Sequence, residues 1–368
     1  MGELRDKVVS ILGIRGVPAA HGGFETFAEH LALYLRGRGW QVTVYCQEEG
    51  EGAVHEDAWE GIRRVHVPVR GDGPASTVVF DWKATALAAR ERRGTILTLG
   101  YNTAVFCARL RLAGLHNVIN MDGIEWKRAK WGPVAKTWFW LNDWAGCWLG
   151  NHLVADHPQI KVHLSSRVRE GKITVIPYGA DAVESADEAP VRALGLEPGR
   201  FVTVIARAEP ENSLLEIVDG FSRRARGMRL VVLGKYDPAH AYQSRVLAAA
   251  GEEVSFVGAI YDKRVVAALR FHSALYVHGH QVGGTNPSLV EALGAGNAVL
   301  AHENRFNRWV AGEQAAYFDG ADGAAAAFDV LLNDEARLQE MRQFSRRRHA
   351  DNFTWEKILG AYEDLLLR

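Results

Sequence analysis

Short apolar runs alternate with amphipathic stretches along the chain, and this alternation predicts a series of βαβ units. Residues 8–14 form a continuous apolar run, as expected for a strand that is buried on both faces. From Phe24, apolar residues recur with the i, i+3, i+4, i+7 spacing of a helix, which Gly37 and Gly39 end. Residues 41–46 predict the next strand. Such crossovers build parallel sheets.

The same pattern continues in two series of similar size. In the first series, further strands are predicted at residues 95–99, 118–121, 152–155 and 172–176. In the second series, strands are predicted at 201–207, 230–234, 254–257, 274–277 and 298–301, and helices at 214–225, from His240, at 263–272 and from Pro287. Two successive series predict an α/β protein with two doubly wound, Rossmann-like domains.

The domain boundary is predicted from a polar, turn-rich segment at residues 178–199, which is typical of a linker. We therefore expect an N-terminal domain over residues 1–182 and a C-terminal domain over residues 183–350. The remaining residues, 351–368, include an amphipathic helix from Thr354 onward.

Composition narrows the class of protein. With 43 Lys and Arg against 44 Asp and Glu in 368 residues, the net charge of -1 gives no global electrostatic reason to bind nucleic acid. The three cysteines are too far apart for a zinc site or a disulfide framework, so a cytoplasmic protein is expected. No apolar stretch reaches the 18 residues of a membrane span, and the N-terminus does not resemble a signal peptide.

The loop after the strand at 274–277 carries the strongest candidate chemistry. Asn286 is a good helix N-cap, so Gly283, Gly284 and Thr285 lead into a helix N-terminus, where backbone N–H groups favour an anion. Glu291, one turn into that helix, could accept two hydrogen bonds from a ribose diol. Together these features predict a nucleotide site. The alternative is a capped helix with a solvated glutamate.

Two further loops are candidates for phosphate contact. Gly22 and Gly23 precede a helix, although the spacing matches neither the dinucleotide fingerprint nor a P-loop, and a simple strand-to-helix turn is the alternative. Arg207 lies at the end of a predicted strand and suits a diphosphate oxygen. Its alternative is a surface salt bridge to Glu209 or Glu211.

Several stretches resemble one known family. RGVPAAHGGFETFAEHLA, MDGIEWKRAKW, IPYGAD, GGTNPSLVEALGAGNAVLAHENRFNRWV and FTWEKI resemble glycosyltransferases of the GT-B fold, particularly family 4 and its bacterial rhamnosyltransferases of capsule and exopolysaccharide assembly. The resemblance extends over essentially the whole chain. It implies two facing domains with a cleft between them and a final helix that crosses back to the first domain.

The resemblance also implies an activity. A nucleotide sugar would be held mainly by the C-terminal domain and a saccharide acceptor by the N-terminal domain. Transfer would retain the anomeric configuration, with no metal and no cofactor besides the donor. A dTDP-L-rhamnose donor follows only from the resemblance.

The chain departs from the family pattern at two positions. Family 4 commonly has two glutamates separated by seven residues; the second matches Glu291, but the first position is Gly283. The family also has a lysine five residues after the diphosphate arginine, where this chain has Asn212, which is itself a candidate for binding the donor diphosphate or sugar. Lys235 is a candidate replacement for that lysine. Of the arginine and lysine that bind the diphosphate in the family, only the arginine is therefore present at the expected position.

Two residues are candidates for the catalytic chemistry. Asp122 follows a predicted strand where family members often carry a histidine, and its carboxylate could accept the acceptor's proton or bond a sugar hydroxyl. An Asx-turn at Asp-Gly is the alternative. His280 precedes the glycine pair and could bond a phosphate or a hydroxyl. Since His278 and His280 alternate along a strand end, one of them could instead be packed inside.

Six of the 11 tryptophans lie between residues 126 and 148, next to basic residues. Trp126, Lys127, Arg128, Lys130 and Trp131 predict a surface that docks on an anionic membrane. The alternative is a core helix whose tryptophans pack inward. The two interpretations are compatible if the helical stripe of tryptophans packs into the core and Trp126 and Trp131 lie on the surface. The stripe consists of Trp140, Trp144 and Trp148.

The first hypothesis is therefore a retaining glycosyltransferase that acts on a lipid-linked saccharide in cell-surface polysaccharide synthesis. It would be cytoplasmic and peripheral on the inner face of the plasma membrane, with no nucleic acid partner. The alternative hypothesis is an inactive or weak nucleotide-sugar-binding member of a polysaccharide assembly system. A weaker third hypothesis is another GT-B enzyme, such as a sugar-nucleotide epimerase.

Overall fold

The computed structural model describes residues 6–20, 22–128 and 130–368. By its internal contacts the chain divides into two compact units. Unit 1 takes the chain up to Tyr178 together with Trp355–Arg368, and unit 2 is Gly179–Thr354. Each unit is built on a mainly parallel sheet whose central strands are buried on both faces.

Within its described residues, unit 1 has an eight-stranded sheet in the order β3-β4-β2-β1-β5-β6-β7-β8. Its strands are β1 (Val8–Leu12), β2 (Gln41–Glu49), β3 (His55–Trp59), β4 (Ile62–Val69), β5 (Thr95–Leu99), β6 (Asn117–Asn120), β7 (His152–Ala155) and β8 (Ile173–Val175). All neighbours are parallel except the edge pair β3 and β4. The parallel strands follow the Rossmann order, which reverses between β1 and β5.

Helices connect these strands, as a parallel sheet requires. They are α1 (Gly22–Gly37), α2 (Pro74–Glu91), α3 (Ala108–Leu112), α4 (Pro133–Leu149) and α5 (Pro158–Ser165). The apolar stripe predicted from Phe24 is confirmed, since Phe27, Leu31 and Leu35 of α1 are buried.

Unit 2 has a six-stranded parallel sheet among its described residues, in the order β11-β10-β9-β12-β13-β14. Its strands are β9 (Phe201–Ile205), β10 (Arg229–Leu233), β11 (Val254–Gly258), β12 (Leu275–His278), β13 (Val299–His302) and β14 (Ala316–Phe318). Its helices are α6 (Ala189–Ala193), α7 (Leu214–Ser222), α8 (Ala241–Ala248), α9 (Lys263–Phe271), α10 (Pro287–Gly294), α11 (Arg305–Ala311), α12 (Gly320–Leu331) and α13 (Glu335–Asn352).

The last helix, α14 (Trp355–Leu366), packs in the core of unit 1. Asn120 donates a 2.8 Å hydrogen bond to the hydroxyl of Tyr362, and the indole N–H of Trp40 donates to Glu363 at 3.0 Å. The ring of Tyr362 also contacts the ring of Phe27. These contacts make the end of the chain an integral part of unit 1.

The linker predicted at residues 178–199 is wrong in its second half. Residues there form α6, and Val191 is fully buried in the core of unit 2 together with Phe201 and Leu269. The polar composition reflects the exposed side of this short helix.

None of the helices within the described parts of the chain has the length and apolarity needed to cross a membrane. Cys46, Cys107 and Cys147 are buried free thiols.

Candidate functional site

The strand order of unit 2 reverses between β9 and β12, which are hydrogen-bonded neighbours. The loops that follow these two strands, residues 206–213 and 279–286, therefore leave the same edge of the sheet side by side. In doubly wound sheets, ligands bind outside the carboxyl ends of the strands at such a reversal. Both loops contain candidate residues that the sequence predicts.

Hydrogen bonds tie the two loops together. The amide of Gln281 donates to the carbonyl of Glu211 at 2.9 Å, and the hydroxyl of Ser213 donates to the carbonyl of Gly279 at 2.8 Å. A Cβ atom on Gly279 would lie 2.1 Å from the carbonyl oxygen of Asn212, so only glycine permits this approach. The two loops form one rigid surface.

Arg207 and Asn212 have different roles in this surface. Arg207 is exposed, and within the described chain its guanidinium pairs with no carboxylate, so the alternative salt bridge to Glu209 or Glu211 is not formed. Asn212 is buried and donates to the carbonyl of Arg207 at 2.8 Å. Asn212 thus shapes the loop that presents Arg207.

The loop before α10 has the predicted cap. The side chain of Asn286 accepts a 3.0 Å hydrogen bond from the amide of Ser288, which confirms the N-cap assignment. Thr285 is buried, and Gly284 is half-buried. Gly283 has φ +134, a conformation that glycine adopts readily and a glutamate does not. The glycine at this position is therefore a requirement of the local backbone.

Glu291 has a partner that the sequence did not reveal. Nη2 of the buried Arg270, on α9, lies 2.5 Å from Oε2 of Glu291. Arg270 also donates to the hydroxyl of Ser288 at 3.1 Å, and this hydroxyl lies 2.6 Å from that of Tyr276. The glutamate is therefore oriented by a hydrogen-bonded network, rather than being a freely solvated side chain.

Three histidines gather at the ends of β12 and β13. His278 is buried, its ring stacks on that of His280 with centroids 4.3 Å apart, and neither of its nitrogens has a hydrogen-bond partner among the described residues. Burial holds the pKa of His278 well below its usual range, and His280 and His302 lower it further. His278 is therefore the packed member of the pair.

The backbone at His280 is fixed by two asparagines. Asn304 and Asn307 donate side-chain hydrogen bonds to its carbonyl oxygen at 3.0 and 2.8 Å. Neither asparagine had a role predicted from sequence.

In unit 1, Asp122 follows β6 and has a left-handed backbone with φ +51. Its amide donates to the side chain of Asn120 at 2.9 Å. Burial raises the pKa of Asp122, and a hydrogen bond from the Gly123 amide only partly offsets this effect. The side chain that accepts the backbone amide at this turn is thus that of Asn120, and Asp122 places a carboxylate at the carboxyl edge of the sheet.

The loop after β1 is held by the chain's own carboxylates. Glu25 accepts from the amide of Arg15 at 3.2 Å, and Glu29 accepts from the amide of Ala19. Gly22 has φ +71, and a Cβ atom there would lie 2.8 Å from the carboxylate of Glu25. Gly22 and the half-buried Gly23 therefore begin a helix whose first turn lies next to the carboxylate of Glu25.

A cavity of about 510 Å³ opens beside this loop. It lies at the carboxyl ends of β1, β2 and β4, and several of its lining side chains are polar. These include Arg15, Glu25, Glu48, Glu49, His66 and Asp72.

The aromatic and basic segment after β6 is engaged within unit 1. The indole N–H of Trp126 donates to Asp143, and that of Trp131 donates to Glu125, both at 2.8 Å. Glu125 also pairs with Arg128 at 2.9 Å and with Lys130 at 3.5 Å. Both indoles are half-buried, so the prediction that they lie outside is wrong; Lys127 is exposed.

The tryptophan stripe on α4 is likewise not inside. Trp140 is 43% exposed and Trp148 is 61% exposed, while Trp144 is half-buried under the guanidinium of Arg167. The prediction that the stripe packs into the core is wrong.

A protein-family model matches most of unit 1 and almost none of unit 2. Residues 6–181 match the family model of a domain of unknown function (DUF1972). A comparison with curated protein sequences found no match.

Solved structures are similar over nearly the whole chain. Sucrose-phosphate synthase from Thermosynechococcus elongatus has a TM-score of 0.80 and 17% identity, covering 97% of this chain and 98% of that one. HepE from Anabaena in complex with UDP-glucose has a TM-score of 0.76 and 13% identity, covering 98% of each chain. The UDP-forming α,α-trehalose-phosphate synthase from Burkholderia xenovorans, with glucose-6-phosphate, has a TM-score of 0.72 and 14% identity, covering 98% and 100%. The chain has the fold of the GT-B glycosyltransferases.

Proposed function

We propose that this protein is a glycosyltransferase that moves a sugar from a nucleoside diphosphate sugar to a saccharide acceptor. The observation that carries the proposal is the joined pair of loops in unit 2: one contains Arg207, which has no carboxylate partner in the described part of the chain, and the other leads into the N-terminus of α10. A cation and a set of backbone N–H groups suit a diphosphate. The similarity to HepE, which was solved with UDP-glucose, supports the same ligand class.

A second cation, Lys235, follows β10, the strand next to β9. Gly234, at the end of β10, approaches the next strand so closely that a Cβ atom on it would lie 2.6 Å from the carbonyl oxygen of Ala206. Ala206 and Gly234 are therefore in close contact, and Arg207 and Lys235 are the residues that follow them in the chain. Both side chains are exposed. We assign to Lys235 the positive charge at the diphosphate that Asn212 does not carry.

Glu291 is assigned to the nucleoside. Its ion pair with Arg270 holds the carboxylate in one orientation, while the side chain stays 38% exposed. A fixed carboxylate loses little conformational entropy when it accepts hydrogen bonds from a diol. The apolar neighbours Leu289 and Val290 are buried and hold the helix in place.

The proposed reaction breaks the bond between the anomeric carbon and the diphosphate oxygen and joins that carbon to an acceptor hydroxyl oxygen. Arg207, Lys235 and the amides of residues 283–286 would stabilise the leaving diphosphate. Asp122 is assigned to the acceptor's proton, and its raised pKa brings it closer to neutral pH. His280 is assigned to a phosphate or sugar hydroxyl. Retention of configuration without a metal is part of the proposal.

The acceptor is proposed to bind unit 1. The cavity beside the loop after β1 carries four carboxylates, Glu25, Glu48, Glu49 and Asp72. Carboxylates accept hydrogen bonds from sugar hydroxyls and disfavour an anion, so Gly22 and Gly23 face an acceptor sugar better than a phosphate. A lipid-linked saccharide in cell-surface polysaccharide synthesis, with L-rhamnose as the transferred sugar, is the most specific form of the proposal.

A second candidate function is nucleotide-sugar binding without turnover. It is favoured by Gly283 and Asn212, because neither supplies the charge that related enzymes commonly place there. The two candidate functions share the donor site and differ only in whether the bound sugar is transferred.

The proposal is tested by incubating the purified chain with a panel of nucleotide sugars and measuring melting temperature and nucleoside diphosphate release. We expect one donor to stabilise the fold by mass action, and release to require an acceptor. The assay is repeated with EDTA, because Glu48, His55 and His66 present possible ligand atoms within 4.8 Å of one another. Loss of turnover with EDTA would contradict metal independence, and stabilisation by no donor would contradict the whole proposal.

A further inference from the structure

Helix α4 buries polar and small residues and exposes large apolar ones, the opposite of an ordinary amphipathic helix. Its buried residues are polar or small: Asn142, Asp143, Gly146 and Cys147. The buried polar side chains are satisfied, since Asn142 accepts from the amide of Val105 at 3.0 Å and Asp143 accepts from Trp126 and lies 3.0 Å from His163. Its exposed residues are large and apolar. They are Val134, Trp140, Leu141 and Trp148.

The helices next to α4 expose apolar side chains as well. Eight of the fourteen large hydrophobic residues exposed in the described chain lie on four helical elements, namely α2, the short helix Ala104–Cys107, α3 and α4. Besides those of α4, they are Val79, Trp82, Val105 and Leu112. Soluble proteins rarely concentrate exposed apolar residues in this way unless the surface binds something.

These elements touch one another. The hydroxyl of Thr103 donates to Asp81 of α2 at 2.8 Å, and the guanidinium of Arg109 of α3 lies over the ring of Trp82 at 4.1 Å. The indole N–H of Trp138 of α4 donates to the carbonyl of Asn102 at 2.8 Å. We call the exposed side of α2, the short helix, α3 and α4 the α2–α4 face.

The charge of this region is strongly positive, although the whole chain has a net charge of -1. Residues 74–149 contain ten Lys and Arg and five Asp and Glu. Of the five acids, Asp143 is buried and the other four are half-buried. Glu91, Glu125 and Asp143 are in ion pairs within unit 1. The outward potential of the region is therefore set by its cations.

A groove of about 580 Å³ lies between α2 and α3 on this face. Its apolar lining includes Trp82 and Leu112, and its charged lining residues are Lys83, Arg90 and Arg109, with no carboxylate among those described. Apolar walls with only positive charges fit an anionic amphiphile.

We propose that the α2–α4 face docks on a membrane that contains anionic phospholipids. The apolar side chains would enter the interface, and the cations would bind lipid phosphates. This inference deepens the proposed function, since it rests on the lipid-linked form of the acceptor. It replaces the segment from Trp126 to Trp131 as the principal docking surface, because both indoles there donate to carboxylates of unit 1, Asp143 and Glu125.

The test is flotation of the full chain with phosphatidylglycerol-containing vesicles and with pure phosphatidylcholine vesicles. Leu112→Glu and Trp148→Glu place a charge on the apolar surface, and Arg90→Glu with Arg111→Glu reverses two exposed cations. Val330→Glu and Arg347→Glu, at exposed positions of unit 2, are the matched controls. We expect the face variants to weaken binding to anionic vesicles by about tenfold or more and the controls to bind like the wild type.

Binding to anionic vesicles should also fall when salt rises from about 0.1 M to about 0.5 M. Equal binding by all variants, or absence of binding at low salt, would overturn the proposal. So would a concentration-dependent dimer that the face variants abolish without any vesicle binding, because a second copy would then cover the face. Stabilisation by a nucleotide sugar should be unchanged in the face variants, so failure of the docking proposal is distinguishable from failure of the proposed function.

Discussion

Nη2 of Arg270 and Oε2 of Glu291 lie 2.5 Å apart, joining α9 to α10. Replacing Glu291 with Gln keeps the shape of the side chain and removes its charge. We expect nucleotide-sugar affinity to fall about tenfold, corresponding to one charge-assisted hydrogen bond of about 1.5 kcal/mol. Titration calorimetry measures the change. Glu188→Gln, which removes the charge of an exposed glutamate paired with Arg192, is the control. Equal nucleotide-sugar affinities of Glu291→Gln and Glu188→Gln would contradict the assignment of Glu291 to the nucleoside.

Arg207→Ala should weaken a nucleoside diphosphate selectively. Loss of charge-assisted hydrogen bonds to phosphate costs about 1.5–3 kcal/mol, which is about tenfold to a hundredfold in affinity. Lys235→Ala should have a smaller effect in the same direction. Binding of UDP and dTDP is compared with binding of uridine and thymidine, which should not change.

Arg223→Ala is the control for these variants, because Arg223 is a surface residue of unit 2 paired with Asp219. If Arg207→Ala and Arg223→Ala bind the diphosphate equally well, the phosphate assignment is wrong.

Asp122→Asn should lower turnover by about a hundredfold to ten-thousandfold without changing donor affinity. Asparagine tolerates the left-handed backbone at this position, so the melting temperature should be preserved. Because burial raises the pKa of Asp122, wild-type turnover should rise with pH and level off above the ordinary carboxyl range. Full activity of Asp122→Asn would remove this residue from the chemistry.

Gly279→Ala should destabilise unit 2 by about 1–3 kcal/mol, because the new Cβ atom would lie 2.1 Å from the carbonyl oxygen of Asn212. Donor affinity should fall as well, since the two loops must separate. Gly323→Ala, inside α12 and with ordinary contacts, should be neutral or stabilising. Urea unfolding measures both variants, and equal stabilities would show that the contact is not restrictive.

The elements that were predictable from sequence are those set by local patterns. Residues 95–99 form a strand because they are a short apolar run buried on both faces, and Asn286 caps α10 because its side chain reaches an amide two residues on. The hairpin of β3 and β4 was missed, since β3 is an exposed edge strand of mainly polar residues with no apolar alternation.

The relationships that were not predictable are set by packing between distant elements. Arg270 meets Glu291 only because α9 and α10 are neighbours in unit 2. The tryptophan stripe on α4 has the correct helical spacing, but spacing does not say which side faces the core. Asn142 and Asp143 decide that question, because their partners Val105, Trp126 and His163 come from other elements.

The central claim is sugar transfer, and the most direct measurement is product formation from a nucleotide sugar and a lipid-linked saccharide. Wild-type protein and Arg207→Ala are incubated with the donor that best stabilises the fold, and the glycosylated acceptor is detected by mass spectrometry. The account predicts one added sugar for the wild type, with release of an equal amount of nucleoside diphosphate, and strongly reduced product for Arg207→Ala. Tight donor binding with no product from any donor and acceptor pair would contradict it and favour a binding protein.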